Sequence, residues 1–250
     1  MPADLFTAFA DQVSARVPQL IASAASGPIA QAADLCADAV ADGGVIRCFG
    51  TGHSEAFAME VAGRAGGLIP TSRMSLRDLV VYGSRTPDEL TPDLERDPSL
   101  AGELFGLYPY DPRDIYIIAS NSGVNGSIVG VALEIKERGS TLIAVTSMNH
   151  TSRVSPIHPS GKRLRDVADV VIDNLAPYGD STLTVGDQMT MGAISSITAA
   201  YIAQFLTLGV AQRLQQRGIT PPVFLSANIP GGDEHNNALK QHYQGRLRLD

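Results

Sequence analysis

Residues 120–125 have the composition of a phosphate-binding turn, with the sequence Ser-Asn-Ser-Gly-Val-Asn. Ser120 and Ser122 offer hydroxyl donors, Asn125 offers an amide donor, and the glycine lets the backbone approach a ligand closely. Backbone N–H groups and hydroxyls at the start of a helix can hold a phosphate group without any lysine. The same pattern fits an ordinary strand-to-helix turn in which Asn125 or Ser127 is the helix N-cap.

An earlier turn of small residues, residues 50–54, reads Gly-Thr-Gly-His-Ser. It lacks the third glycine of a dinucleotide fingerprint, and the chain contains no GxxxxGK[ST] motif, which disfavours a nicotinamide or ATP site. We expect no cofactor and no bound metal. The two cysteines form no CxxC motif, and a metal site built from Asp233, His235 and His242 lacks a suitable ligand spacing.

Each turn needs a strand before it and a helix after it. We refer to residues 50–54 as the first turn and to residues 120–125 as the second turn. Strands separated by helices imply a parallel, doubly wound sheet, at whose carboxyl edge ligands collect. The predicted strands are residues 45–49, 114–119, 141–146 and 167–173, and the predicted helices are residues 54–64, 127–138 and about 187–216.

The last of these helices contains no charged residue between Met189 and Gln212, a stretch long enough to cross a bilayer. Its several Ser, Thr and Gln residues favour a buried core helix instead. Asp187 is the expected N-cap. The small residues near Gly192 would let another helix approach closely, as in a dimer.

The chain divides into three predicted parts. Residues 1–42 are a helical segment, residues 43–217 form an α/β domain, and residues 218–250 form a Pro/Gly-rich and then polar tail. Residues 76–113 are irregular and long for a connection, which is typical of a functional lid or a subunit contact.

Bulk composition excludes several classes of protein. The formal net charge is -7 with no extended basic run, so we expect no nucleic-acid partner. No secretory leader is visible at the N-terminus, and we expect a cytoplasmic protein without a membrane partner. Because the overall charge repels anions, any phosphate site must depend on local donors.

The two turns together resemble the sugar isomerase (SIS) domain superfamily. The resemblance is carried by Phe-Gly-Thr-Gly-His-Ser at residues 49–54 and by Ala-Ser-Asn-Ser-Gly at residues 119–123. The strand 141–146 and Asn149 are also similar, and the resemblance covers about residues 30–215. Within the superfamily, the chain resembles stand-alone bacterial proteins with a C-terminal Pro-Gly-Gly-Asp-x-His-Asn signature. Some of these dehydrate N-acetylglucosamine 6-phosphate, and the N-acetylmuramic acid 6-phosphate etherases are more distantly similar.

This resemblance implies a flavodoxin-like three-layer αβα sandwich and a homodimer or dimer of dimers with active sites shared between subunits. It implies a phosphorylated sugar as ligand. The phosphate-binding residues that it implies are Ser54, Ser120, Asn121, Ser122 and Asn125. Many relatives carry Asn-Ser or Glu-Thr where this chain has Val124 and Asn125, so an amide replaces the last hydroxyl donor.

Isomerisation and β-elimination of an aldose phosphate both begin with removal of the C2 proton, which needs a carboxylate or imidazole of near-neutral pKa. Glu60, on the helix after the first turn, is the first candidate for the base, ahead of Glu55. His53 at the mouth of the expected cleft could open the sugar ring or protonate a leaving group. His235, in the polar cluster at residues 231–236, is a further acid or base. Each also has a structural interpretation as a salt-bridged carboxylate, a hydrogen-bonded loop histidine or a polar helix cap.

Three functions remain open on the sequence. Dehydration or another β-elimination of an aminosugar 6-phosphate is the leading hypothesis, and aldose–ketose isomerisation on the same scaffold is the alternative. A third is a non-catalytic module that senses sugar phosphates. DNA-binding regulators of this kind carry a basic N-terminal region, whereas residues 1–42 contain only one basic residue, Arg16.

Overall fold

A computed structural model describes residues 4–248 of the chain. Five strands form one sheet, two further strands form a hairpin, and helices surround them. The helices are α1 (Leu5–Ser14), α2 (Val17–Ser26), α3 (Pro28–Ala41), α4 (Glu55–Val61), α5 (Asp78–Val81), α6 (Ala101–Gly106), α7 (Gly126–Glu137), α8 (Met148–Thr151), α9 (Leu164–Val167), α10 (Ser195–Gln216) and α11 (Gly232–Lys240). The strands are β1 (Ile46–Gly50), β2 (Thr71–Met74), β3 (Ile115–Ala119), β4 (Thr141–Thr146), β5 (Val170–Asp173), β6 (Ser181–Val185) and β7 (Met189–Ala193).

The main sheet is parallel, with the strand order β2-β1-β3-β4-β5. This is the flavodoxin-like order of a doubly wound sheet. Strands β1, β3 and β4 are almost wholly buried, as expected when helices cover both faces. The predicted fold class, an α/β three-layer sandwich, is confirmed.

Two apolar cores lie on opposite faces of this sheet. The first includes the buried faces of α3, α4 and α10, and the second includes those of α6, α7 and α9. Phe57 of α4 belongs to the first core and Ile128 of α7 to the second. The helices that follow the neighbouring strands β1 and β3 therefore leave on opposite sides, which opens a crevice between the two turns.

The N-terminal segment is helical, as predicted, over its described part. Helix α3 buries Ile29, Ala33 and Cys36 against α10. Gly209 of α10 allows this close approach, because a Cβ atom there would lie 2.9 Å from the Cβ atom of Ala33. These helices therefore form one outer layer of the sandwich.

The prediction of a helix from residue 187 was wrong. Residues 181–193 form the antiparallel hairpin β6–β7, and α10 begins only at Ser195. Gly186 and Gly192 have positive φ angles of 65° and 75°, which are incompatible with a helix. Asp187 consequently lies in the hairpin turn and is not the N-cap.

The start of α10 is capped by Asp180, which precedes the hairpin. Its carboxylate accepts hydrogen bonds from the backbone N–H groups of Ile194 and Ser195 at 3.1 and 2.8 Å, and from the Ser195 hydroxyl at 2.7 Å. The capping residue thus lies fifteen residues before Ser195, the first residue of the helix. Buried residues along α10 include Ile202, Leu206 and Val210, which confirms a core helix. Within residues 4–248, no helix has the length and apolar character needed to cross a bilayer.

Two other predicted boundaries shift by three residues. Helix α4 ends at Val61 and not at Arg64, because Gly63 turns the chain with a φ of 74°. Strand β5 begins at Val170, three residues later than predicted, because residues 164–167 form the short helix α9. The irregular segment 76–113 contains short helices whose apolar side chains fill the second core.

The C-terminal tail returns to the end of the sheet opposite the two turns and runs beside β2. The backbone N–H of Arg73 in β2 donates to the carbonyl of Arg248 at 3.1 Å. The Arg248 guanidinium lies over the rings of Tyr82 and Tyr108, 4.1 and 4.4 Å from their centroids. The tail therefore covers the edge strand β2, which would otherwise expose unpaired backbone groups.

Candidate functional site

The two turns meet at the carboxyl edge of the sheet. Gly50 at the end of β1 is in register with Ala119 at the end of β3, so the turns start side by side. A small pocket of about 20 Å³ lies between them, beneath the start of α10. Its lining is rich in hydroxyl and amide groups, contributed by Ser54, Ser120, Asn121, Asn174, Ser195 and Ser196, with His53 at its side. This is the topological switch point of the sheet, where ligands of doubly wound folds bind.

The second turn is held in a fixed conformation. The Ser120 hydroxyl accepts a hydrogen bond from the N–H of Gly123 at 3.1 Å, and Gly123 has a positive φ of 65°. The Gly123 carbonyl accepts from the N–H of Leu164 at 2.8 Å, and the Val124 carbonyl accepts from the N–H of Ile157 at 3.3 Å. The carbonyls are thus turned towards neighbouring segments and away from the crevice.

This arrangement leaves donors free at the start of α7. In the described part of the chain, the backbone N–H groups of Ser122, Val124 and Asn125 find no hydrogen-bond acceptor. Asn125 has the extended backbone of an N-cap, but its side chain makes no capping bond. Free N–H groups at a helix start form an anion-binding site, aided by the helix dipole.

Asn121 is only partly available to a ligand. Its side-chain oxygen accepts a hydrogen bond from the amide of Asn174 at 3.1 Å. Asn121 lines the same pocket as Ser54 and Ser120. Asn174, Ser195 and Ser196 were not predicted as site residues. Nothing in their local sequence shows that β5 ends and α10 begins at this pocket.

A carboxylate that the sequence analysis missed lies across the two turns. Glu95 belongs to a 3₁₀ turn, Pro92–Arg96, in the segment before α6. Its Oε2 atom lies 3.3 Å from the hydroxyl of Thr51 and 3.5 Å from the amide nitrogen of Asn125. Thr51 and Asn125 belong to different turns, so Glu95 bridges them.

Glu95 also lines a second cavity, of about 310 Å³, on the other side of the first turn. Glu55 and Arg77 line this cavity as well, and the Glu55 carboxylate accepts a hydrogen bond from Ser75 at 2.7 Å. The site therefore has two compartments, a hydroxyl-rich pocket and a more charged cavity, separated by the first turn.

The family follows from comparison with known proteins. A model of the SIS domain matches residues 8–147, more than half of the chain. The chain is 37% identical to a UPF0309 protein of Halalkalibacterium halodurans, over 86% of this chain and 88% of that protein. It is 35% identical to a UPF0309 protein of Caldanaerobacter subterraneus, over 88% of this chain and 90% of that protein. The chain belongs to the UPF0309 family of SIS-domain proteins.

A solved structure agrees with this SIS fold. Phosphoheptose isomerase from Neisseria gonorrhoeae superposes with a TM-score of 0.50 and 18% sequence identity. The match covers 81% of this chain and 98% of that protein. At this level of identity the likeness establishes the shared architecture alone.

The three predicted acid–base residues of this SIS protein lie apart. His53 is exposed beside the hydroxyl-rich pocket. Glu60 lies outside both compartments, where its carboxylate accepts hydrogen bonds from Arg64 and, at 2.6 Å, from Gln204 of α10. His235 lies on α11, with its ring nitrogen 3.0 Å from the carbonyl of Val223. A single chain therefore brings His53, but neither Glu60 nor His235, to the pocket.

The cysteines of the SIS domain are poor candidates for nucleophiles. Cys36 and Cys48 are free and buried. Burial raises the pKa of the Cys36 thiol to about 12 and also holds the pKa of the Cys48 thiol well above its usual range. Both thiols are thus protonated at neutral pH. Within residues 4–248, no three His, Cys, Asp or Glu side chains are grouped as a metal site.

Proposed function

We propose that this SIS-domain protein binds a phosphorylated sugar in the crevice between the two turns. The second turn holds the phosphate group through its free N–H groups and through Ser120, Asn121, Ser122 and Asn125. Ser54 contributes from the first turn. The observation that carries this proposal is that the N–H groups of Ser122, Val124 and Asn125, at a topological switch point, have no acceptor among residues 4–248.

The chemistry that we propose is removal of the C2 proton of a phosphorylated aminosugar. His53 beside the pocket is placed to act on the ring oxygen or on a leaving group. Glu60 and His235 remain our candidates for the base and the second acid. Because neither lies at the pocket of its own chain, the proposal requires that a second subunit completes the site.

A homodimer, or a dimer of dimers, would supply that second subunit. Apolar side chains are exposed around Glu60: Met59 of α4 is 56% exposed and Leu208 of α10 is 63% exposed. Isolated soluble proteins seldom place several large apolar side chains together in water. We propose that this face of α4 and α10 is covered in the dimer, and that the tail, residues 218–250, contributes to the site or the interface.

Two reactions share the first step. We propose dehydration or another β-elimination of N-acetylglucosamine 6-phosphate or a related aminosugar 6-phosphate, on the basis of the C-terminal signature. The alternative is aldose–ketose isomerisation, which is favoured by the fold shared with phosphoheptose isomerase. The third function, sensing of sugar phosphates without turnover, would be supported if a sugar phosphate binds and no product forms.

The test begins with a thermal-shift screen of aminosugar and neutral hexose 6-phosphates, followed by proton NMR in D₂O. Loss of the C2 proton signal with an ultraviolet-absorbing product supports elimination, and loss of that signal with a ketose product supports isomerisation. Ser122→Ala should weaken binding, while Ser99→Ala on the exposed surface should not. Absence of any stabilising hexose 6-phosphate would contradict the proposed ligand.

A further inference from the structure

The carboxylate of Glu95 occupies an unusual place for a negative charge. It lies within hydrogen-bond reach of Thr51 in the first turn and of Asn125 in the second. Its Oε1 atom packs on Gly52, where an added Cβ atom would be only 3.1 Å away. Glu95 therefore lies at the mouth of the site in which a negatively charged phosphate group is proposed to bind.

Arg77 lines the same cavity as this carboxylate but lies beyond ion-pair distance of it. Across residues 4–248, Glu95 forms no ion pair with Lys, Arg or His. Its two side-chain donors are neutral and both contacts are long, at 3.3 and 3.5 Å. Such contacts contribute little to stability. A structural role for the carboxylate is therefore poorly supported.

The backbone, by contrast, fixes the position of Glu95 firmly. The hydroxyl of Ser127 donates to the Glu95 carbonyl at 2.7 Å. The carbonyl of Arg96 lies so close to α7 that a Cβ atom on Gly126 would be 2.0 Å from it. Leu94 is buried in the second core. The segment is thus anchored on the helix that begins the phosphate site.

The amide of Asn125 links the proposed phosphate site to Glu95. This amide is one of the donors assigned to the phosphate group, and in the structure it faces Glu95. A phosphate group that uses Asn125 must therefore lie next to the Glu95 carboxylate. Two fully ionised oxygens at that separation would repel, whereas a protonated phosphate oxygen would donate a hydrogen bond to the carboxylate.

We propose that Glu95 is a specificity-determining residue that accepts a hydrogen bond from a protonated oxygen of the bound phosphate group. It thereby selects phosphate and phosphate monoesters over anions of the same shape that carry no proton. The inference rests on the proposed phosphate site. The proton stays on the phosphate group. The second pKa of a phosphate monoester is about 6, so its monoanion remains accessible at neutral pH.

Sulfate provides the discriminating comparison, because it has the shape of phosphate but no proton to donate at neutral pH. Isothermal titration of the full chain with inorganic phosphate and with sulfate, at equal ionic strength, gives the ratio of the two dissociation constants. We expect the wild-type protein to prefer phosphate by about tenfold or more, the effect of one charge-assisted hydrogen bond.

Glu95→Gln should reduce this preference to within about threefold, mainly because sulfate binding improves once the charge is removed. Glu95→Ala should do the same, which guards against a specific effect of the new amide. Asp93→Asn is the matched control, since Asp93 lies in the same 3₁₀ turn with its side chain 88% exposed. It should keep the wild-type ratio.

The outcomes separate the two proposals. If phosphate binds but the wild-type protein does not prefer it to sulfate, or if Glu95→Gln and Glu95→Ala keep the wild-type ratio, Glu95 does not select the anion. If phosphate binds only after Glu95 is replaced, the carboxylate blocks the site and the inference is equally wrong. If neither anion binds to any variant, the phosphate site itself is absent.

Discussion

The two ends of the parallel sheet differ in how completely their charged groups are paired. We call the end at which the strands begin the amino edge and the end at which they finish the carboxyl edge. At the amino edge, the carboxylate of Asp114 accepts hydrogen bonds from the N–H of Val45 at 2.9 Å, from Arg47 at 2.7 Å and from Arg246 of the tail. The side chains of Arg47 and Asp114 are both fully buried. A carboxylate with this many donors is already satisfied by the protein.

At the carboxyl edge, polar groups are left with few partners. Within residues 4–248, Glu95 has two long contacts with neutral donors, and N–H groups of the second turn find no acceptor. The same sheet therefore holds the tail in place at one edge and carries the proposed ligand site at the other. Changes at the amino edge should alter stability, and changes at the carboxyl edge should alter binding.

The largest effect is expected when the amino-edge ion pair is broken. Arg47→Met leaves the buried Asp114 carboxylate without its fully buried charged partner, and we expect a loss of about 3–5 kcal/mol in the free energy of unfolding. Urea unfolding measures this loss. Arg96→Met is the control, because the Arg96–Asp93 pair is largely exposed and should contribute less than about 1 kcal/mol. Similar losses in both variants would refute the contrast between buried and exposed pairs.

Two glycine substitutions, one in the second turn and one away from it, test whether the shape of the second turn matters for binding. Gly123 and Gly139 both have positive φ angles, 65° and 76°, so replacing either with alanine should cost about 1–2 kcal/mol of stability. Only at Gly123 would the new Cβ atom meet neighbours, with Thr146 Oγ1 at 3.1 Å. Because Gly123 shapes the second turn, Gly123→Ala should also weaken inorganic phosphate binding about tenfold, or about 1.4 kcal/mol.

The matched variant, Gly139→Ala, lies past the far end of α7 in open space and should leave phosphate affinity unchanged. Isothermal titration and urea unfolding of the same samples give both quantities. Equal phosphate affinity in the two variants would mean that the shape of the second turn does not determine binding.

The carboxylate of Asp180, also on this side of the sheet, has its hydrogen bonds satisfied by the protein. Asp180→Ala removes three hydrogen bonds to the start of α10, and we expect a loss of about 1–2 kcal/mol, as for other helix caps. Asp187→Ala, in the hairpin turn, should change stability by less than about 0.5 kcal/mol. Thermal unfolding of the two variants would give the reverse order if Asp187 were the true cap.

The elements around the turns could be predicted from the sequence because they depend on short-range patterns. Apolar runs that end in glycine, followed by helical spacing, indicated β1, β3 and their helices. The hairpin at residues 181–193 was missed because its second strand, Met189–Ala193, belongs to the same run without charged residues as the helix after it. Asp180 caps that helix from a residue with a positive φ of 68°, a geometry that no local pattern indicates.

The composition of the site was harder to predict, since it depends on contacts between distant segments. The second turn was recognisable because its donors lie within six consecutive residues. Glu95 lies 44 residues from Thr51 and 30 from Asn125, in a segment without a regular period. Only the packing of that segment on α7 shows that its carboxylate reaches both turns.

The smallest effect expected is a change in acid stability at the amino edge. Hydrogen bonds from Arg113 and the nearby charge of Arg246 hold the pKa of Asp111 well below its usual range. The unfolded chain therefore takes up a proton first as the pH falls. The stability that Asp111 contributes is complete above its unfolded pKa, about 3.9, and decreases below it. Asp111 is partly exposed, so the whole contribution should stay under about 1 kcal/mol. Asp111→Asn should accordingly lose slightly less stability than the wild type between pH 7 and pH 3 in urea unfolding, and a steeper loss in the variant would contradict this assignment.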